Sequence, residues 1–256
     1  MKVKQKNFLG TLEQIIEEFL PRINHLASKY VYLGQPVLSK EDLISAGVIG
    51  LIEAYNRYDP TKKVAFKTYA EYRIRGAILD EIRKVDIIPR SVREKSTELE
   101  EKIKELYLKL GRLPTEEEIA EALRMSLEDY YRLLENIKGI SFIDISAFKQ
   151  KMPEVEEDDI FQLTAINNSA LDVLEHIFLK EIQEKLEDAL NLLTDKERMV
   201  LALYYYEDMN MKEIAKVLGY TEGRISQIHQ QALLKLRSYF KIEDEEKAKN
   251  NTNKGG

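Results

Sequence analysis

The sequence predicts an all-α protein: three small helical domains joined by linkers, the last ending in a helix-turn-helix. Three observations lead there. Apolar residues recur at three- and four-residue steps, as in Leu12-Ile15-Ile16-Phe19, Leu43-Ile44-Leu51-Ile52-Tyr55 and Ile182-Leu186-Leu190-Leu193, while strand-like alternation is almost absent. Helix starts are written repeatedly as a cap residue three before an acid: Ser39/Asp42, Thr115/Glu118, Ser126/Asp129, Thr194/Glu197 and Asn210/Glu213. Glycine and proline are scarce, 11 and 6 in 256 residues, which favours helices over turn-rich sheets.

The first legible element is EDLISAGVIGLIEAYNRYDP (41–60). Gly47 and Gly50 inside this helix each cost about 1 kcal/mol relative to Ala, so another backbone is expected close by, from within the protein or from a partner. Apolar residues also surround the helix (Leu43, Ile44, Val48, Ile49, Leu51, Ile52), which fits either full burial or a partner surface. In FKTYAEYRIRGAILDEIRKVDIIPRSVR (66–93), Ile74, Ile78 and Ile82 read as core. Phe66, Tyr69 and Tyr72 alternate with Lys67, Arg73 and Arg75. Aromatics interleaved with cations suit unpaired bases, each stack being worth about 1–3 kcal/mol. An ordinary helix with core tyrosines fits Tyr69 and Tyr72 equally well. Pro89 ends that helix, and a new one presents Arg90 and Arg93 to phosphates, a base edge or solvent.

Residues 112–134 read as a small hairpin of two capped helices, whose acidic Glu116, Glu117 and Glu118 argue against a strong DNA contact. Residues 141–176 carry two basic and eight acidic residues, Pro153 and the run EVEEDD, and read as a linker. At 211–237 a short helix, Gly219 in a left-handed turn, a Thr221 cap and a second helix make a helix-turn-helix. Its second helix should bury Ile225, Ile228, Ala232 and Leu236. Glu222, Arg224, Ser226, Gln227 and Gln230, side chains able to read base edges and phosphates, are expected on its open face. His229 is expected at the surface. The last residues, 242–256, read as a frayed helix and a disordered tail.

Charge separates these parts. The net charge of −6 hides ten basic against five acidic residues over 62–95, and six against two over 211–241. Two candidate nucleic-acid surfaces therefore flank an acidic connector. Without cysteine there are no disulfides, thiolate metal sites or thiol catalysis, and three scattered histidines suit no zinc site. No P-loop, GxSxG or HExxH is present, so an enzyme is not expected and no cofactor is implied. No run approaches a membrane span, and the start lacks a secretory apolar stretch, so a cytoplasmic protein without membrane contact is expected.

These segments, in this order, resemble a bacterial RNA polymerase sigma factor of the sigma-70 family, and within it the flagellar-type (sigma-28) group. DLISAGVIGLIEAYNRYDP is similar to the segment that binds core polymerase, with Asp42, Ser45, Val48, Ile52 and Glu53 on the binding face. FKTYAEYRIRGAILDEIRKVDIIPRSVR is similar to the segment that melts and reads the -10 promoter element. There the resemblance assigns strand capture to Tyr69 and Tyr72, backbone contacts to Arg73, Arg75 and Arg83, and specificity to Asp80, Arg90 and Arg93. The C-terminal helix-turn-helix resembles the -35 reader, with Glu222, Arg224, Ser226, Gln227 and Gln230 on the reading helix. The implied division is 1–95 for a region 2-like domain, 96–140 for a region 3-like domain, 141–176 for the linker and 177–241 for a region 4-like domain. The implied partners are core RNA polymerase (its β and β′ subunits), promoter DNA and an anti-sigma factor, and the implied role is initiation at flagellar promoters. The chain departs from the group in having Ile87 where many members carry Trp, and Arg73 where the housekeeping group has a second aromatic. Gly223 removes one side chain from the reading helix. From charge alone, the acidic connector should repel DNA, so polymerase would be needed to hold the two basic modules on a promoter.

Overall fold

A computed structural model describes residues 10–34, 37–62, 64–84, 90–137 and 183–252. All regular structure among the described residues is helical. It falls into two compact units.

The first unit holds α1 (Leu12–Gly34), α2 (Lys40–Arg57), a 3-10 turn (Pro60–Lys62) and α3 (Phe66–Lys84). A complete capping box starts α2. Ser39 Oγ accepts from the Asp42 N–H at 3.1 Å, while the Asp42 carboxylate accepts from the Ser39 N–H at 2.9 Å. Ile15, Phe19, Ile23 and Leu26 of α1, Leu43 and Leu51 of α2, and Ile74 and Ile78 of α3 are buried. Gly50 meets the close backbone that its cost implied, whereas Gly47 makes room for side chains. A Cβ at Gly50 would lie 2.7 Å from the Arg73 carbonyl oxygen and 2.7 Å from the Ala77 Cβ, and one at Gly47 would lie 2.8 Å from Ile23. The close backbone is therefore α3 of the same chain.

The second unit runs α4 (Arg90–Leu110), α5 (Glu116–Ala122), α6 (Leu127–Ile137), α7 (residues 183–191), α8 (Asp195–Leu201), a π-helical turn (Ala202–Tyr206), α9 (Met211–Leu218) and α10 (Glu222–Thr252). Capping boxes at Thr115, Thr194 and Asn210 start α5, α8 and α9. Leu99 and Ile103 of α4, Ile119 of α5, and Tyr130, Leu134 and Ile137 of α6 form one core, and Leu234 of α10 enters it. Ala232 and Leu236 of α10 belong to another, with Ala189, Leu193 and Leu201. So α10 is shared by both. It continues to Thr252, beyond the position 242 at which the sequence suggested a tail. Ile242 is buried, and the Glu- and Lys-rich residues after it are good helix formers. The predicted acidic linker, 141–176, lies outside the described residues.

Candidate nucleic-acid interface

Helix α2 has two faces. Leu43, Ala46, Gly47, Gly50, Leu51 and Ala54 are buried. Asp42, Ser45, Ile49 and Asn56 are exposed, and Val48, Ile52 and Glu53 half-buried. The outward series 42, 45, 49, 52, 56 advances by alternating steps of three and four, the seam spacing of a helix that packs along another helix. Full burial of α2 is thereby excluded. Ile49, 57% exposed in the middle of this stripe, was not among the residues assigned to the binding face. The three-four spacing from Asp42 was the signal that could have found it. The Asp42 carboxyl is held below the usual carboxylate range by hydrogen bonds from the Ser39 side chain and backbone, so it is charged at neutral pH.

Helix α3 buries Phe66, Ala70, Ile74, Ile78 and Ile82 at helical spacing. The Phe66 ring meets Phe19 and Tyr58 edge-on, with centroids 5.9 and 5.2 Å apart. Tyr58 donates to the Val64 carbonyl at 2.8 Å and lies 6.1 Å from Tyr69, centroid to centroid. Phe66 is thus core, and Tyr69 and Tyr72 form a half-buried rim above it. Arg75 and Asp80 are exposed, and Arg83 bonds Asp80 at 2.5 Å. Arg73, assigned to DNA, instead bonds Glu53, assigned to the partner face, at 2.6 Å. The structure brings Tyr69, Tyr72, Arg73, Arg75, Asp80 and Arg83 together on α3. Arg90 and Arg93 stand exposed on the first turn of α4, in the other unit.

The helix-turn-helix forms as expected. Gly219 takes φ 71° and ψ 30°, the left-handed turn that closes α9. Thr221 Oγ1 accepts from the Arg224 N–H at 3.2 Å and starts α10. Ile225, Ile228, Ala232 and Leu236 are buried. The open face is where expectation fails. Glu222 is exposed and Gln227 half-buried, but Ser226 and Gln230 are buried. The cause is the second contact of α10, against α4–α6. Gln230 Nε2 donates to the Ile137 carbonyl at 3.4 Å. The Arg224 guanidinium meets both oxygens of Glu116 at 2.9 Å and lies 4.6 Å above the Tyr131 ring, whose hydroxyl also donates to Glu116. Further along, buried Glu100 accepts from Arg237 at 3.1 Å and from Lys241, and Ser238 donates to the Glu100 carbonyl at 3.1 Å. Both bonds come from one guanidinium nitrogen, Nη2, a charge-assisted contact that bridges the two carboxylate oxygens. Glu116 therefore takes the place of an anionic partner at that nitrogen of Arg224. Burial pulls the Arg224 pKa down, and the Glu116 hydrogen bond and charge more than offset this, so the net shift is upward. Burial first, then the bond to Glu116, raises the Tyr131 hydroxyl.

His229 is also corrected. It is 1% exposed, its ring centroid lying 4.7 Å from Tyr204 and 5.7 Å from Tyr205. Those tyrosines sit on the π-helical turn Ala202–Tyr206, a local irregularity that apolar spacing does not encode.

Among the described residues, no group of three or more His, Asp or Glu side chains is placed to hold a metal ion, and no helix is long and apolar enough to cross a membrane.

Three family profiles match the chain in order: sigma-70 region 2 over residues 15–86, region 3 over 94–162 and region 4 over 189–238. The RNA polymerase sigma factor FliA of Pseudomonas aeruginosa is 38% identical over 228 residues, 88% of this chain and 89% of that protein. FliA of Escherichia coli K12 is 34% identical over 238 residues, 91% and 98% of the two chains. The sigma-D factor of Bacillus subtilis is 31% identical across 88% of each. A solved flagellar sigma/anti-sigma complex, Sigma-28/FlgM, matches with a TM-score of 0.50 and 32% identity, over 89% of this chain and 94% of that one. With three regions matched in sequence order and relatives spanned almost end to end, the chain belongs to the sigma-70 family of RNA polymerase sigma factors, in the FliA (sigma-28) group.

Proposed function

We propose that this sigma factor docks the outward stripe of α2 (Asp42, Ser45, Val48, Ile49, Ile52 and Glu53) on core RNA polymerase. In this reading it then captures and reads the -10 element with Tyr69, Tyr72 and the charged residues of α3, and with Arg90 and Arg93. It reads the -35 element with α10. It adds no catalytic group of its own; the polymerase does the chemistry, at flagellar promoters, in the cytoplasm. The domain division is the one the family resemblance implies, with regions at 1–95, 96–140 and 177–241 about a 141–176 linker. An anti-sigma partner is part of this reading because the Sigma-28 neighbour is a complex with FlgM.

One observation carries the proposal most: α2 offers a helix-packing seam outward while its opposite side is locked, through Gly50, onto the helix that bears the tyrosines and arginines. A stand-alone DNA-binding regulator has no use for that seam. Such a regulator would also need α10 open, and the Glu116–Arg224 ion pair with buried Gln230 speaks against that in the free chain. Polymerase binding would then have to draw α10 off α4–α6 before the -35 element is read.

Pull-down of core polymerase with wild-type chain, Asp42→Arg and Ile49→Asp tests this, alongside run-off transcription from a flagellar promoter. An interface anchor is worth about 2 kcal/mol or more, so Ile49→Asp should weaken capture more than tenfold and abolish run-off product. Equal capture by all three proteins would refute the assignment of the α2 seam. Tight duplex binding with no polymerase capture would point to the regulator instead.

A further inference from the structure

Helix α10 continues from its reading residues into a stretch that has no solvent face. From Ile225 to Ser238 every residue is buried or half-buried. A helix buried on all sides takes no rotation from amphipathicity. Its apolar contacts, through Ala232 and Leu236 to Ala189, Leu193 and Leu201, have no direction of their own. An ion pair adds direction. Lys235 of α10 and Glu197 of α8 meet at 2.7 Å, with side chains only 3% and 5% exposed. Glu197 is also the acid of the capping box that starts α8. Its other carboxylate oxygen accepts from the Thr194 N–H and from the Thr194 hydroxyl, both at 2.9 Å. One buried carboxylate thus ties the first turn of α8 to the far half of the reading helix.

We propose that Glu197 and Lys235 are positioning residues for -35 reading, which fix the rotation and axial register of α10 on α8. Two points define the direction of a rod. The near point is the Gly219–Thr221 turn out of α9. The far point is Lys235, about 21 Å along the helix from Thr221. Glu222, Arg224, Ser226, Gln227 and Gln230 all lie between the two. With the far point gone, α10 can turn about its own axis, and each of those side chains then meets a different base edge or none. A buried ion pair adds little net stability over apolar residues of similar volume, and its best-attested use is to fix register. Because this pair joins α8 to α10, it is kept when α10 is drawn off α4–α6. The inference deepens the proposed function and rests on it for α10 as the -35 reader. Register itself can be read without DNA.

The test compares wild type with the double variant Glu197→Gln/Lys235→Met. Glutamine at that position still completes a capping box, and methionine keeps an unbranched chain in the slot. Both charges go, and neither is left buried alone. The chain has no cysteine, so Met199→Cys and Glu222→Cys, at exposed positions of α8 and α10, can carry a pair of spin labels in the free full-length protein. The wild-type distance distribution should be narrow, and that of the double variant broader or shifted. In unlabelled holoenzyme, wild type should bind a promoter with an intact -35 element about 5- to 150-fold more tightly than one with a single mismatched pair. In the double variant that ratio should fall towards unity, while binding of a -10 single strand is kept. Val200→Ala leaves a cavity at a fully buried position of α8. It should lower the melting temperature yet keep both the narrow distribution and the full ratio. The inference is overturned if the double variant keeps the wild-type distribution, if it keeps the full ratio, or if Val200→Ala loses as much. A failure of α10 as the -35 reader would appear differently, as a wild-type ratio near unity with the spin-label contrast intact.

Discussion

The two surfaces proposed to touch promoter DNA are built on opposite principles. On α3, Tyr69 and Tyr72 form a rim over a private core, with one cation, Arg73, restrained by a neighbour on α2. On α10, several of the side chains proposed to read DNA are drawn into contacts within the protein. Ser226 and Gln230 are buried, Arg224 is clasped by Glu116, and Leu234 sits among Leu99, Ile103, Ile119 and Tyr130. The difference teaches that a helix proposed to read DNA can have much of its reading face engaged elsewhere, with Ser226 and Gln230 buried and Arg224 clasped. Its availability is then set by a competing contact and not by the reading residues themselves.

The most severe way to break this contrast is Leu234→Ala. Loss of a buried leucine costs about 2–5 kcal/mol, taken here from the packing of α10 on α4–α6. The second unit should melt earlier, and free-chain binding to a -35 duplex should rise; calorimetry and fluorescence anisotropy read the two effects. A loss of stability with no rise in duplex binding would mean that the α4–α6 contact is not what withholds α10. Next in size is Tyr72→Ala. One stacking ring is worth about 1–3 kcal/mol per base, so holoenzyme should bind a single-stranded -10 segment about 5- to 150-fold more weakly, while -35 duplex binding stays as it was. Equal loss at both elements would erase the distinction between the surfaces.

The smallest expected effect lies on the covering helix. The Glu118 carboxyl is held at about 2, against an ordinary 4.5, by the Arg112 side chain first and the Thr115 N–H second. A depressed folded value means that its contribution is complete above pH 4.5 and is lost as pH falls from there towards 2. Carboxyl chemical shifts followed by NMR should give that low midpoint, and Arg112→Gln should move it up towards the ordinary value. An unchanged midpoint in the variant would remove Arg112 as the cause.

Much of this architecture was legible because the deciding contacts are local. The boxes at Ser39, Thr115, Thr194 and Asn210 close over three residues, and Gly219 follows from the turn it must make. Gly50 announced a close backbone, though not whose. What escaped depends on distant partners. The carbonyl that satisfies Gln230 belongs to Ile137, ninety-three positions earlier. No periodicity in α10 distinguishes a glutamine waiting for a base from one bonded inside the protein. The acidic turn of α5 reads in the sequence as unsuited to DNA, but its use as a ligand for Arg224 needs the fold. Ile49 shows a different blindness. On a helix apolar all round, the three-four spacing from Asp42 points to Ile49, but other apolar residues compete with it until the burial of the opposite side is known.

The ion pair between Arg224 and Glu116 also bears on how such a protein could acquire a new promoter preference. A change at position 224 that suits another base severs the bond to the half-buried Glu116 carboxylate, to which the Tyr131 hydroxyl also donates. Drift in DNA preference would therefore travel as coupled substitutions, one on the reading helix and one more than a hundred residues upstream.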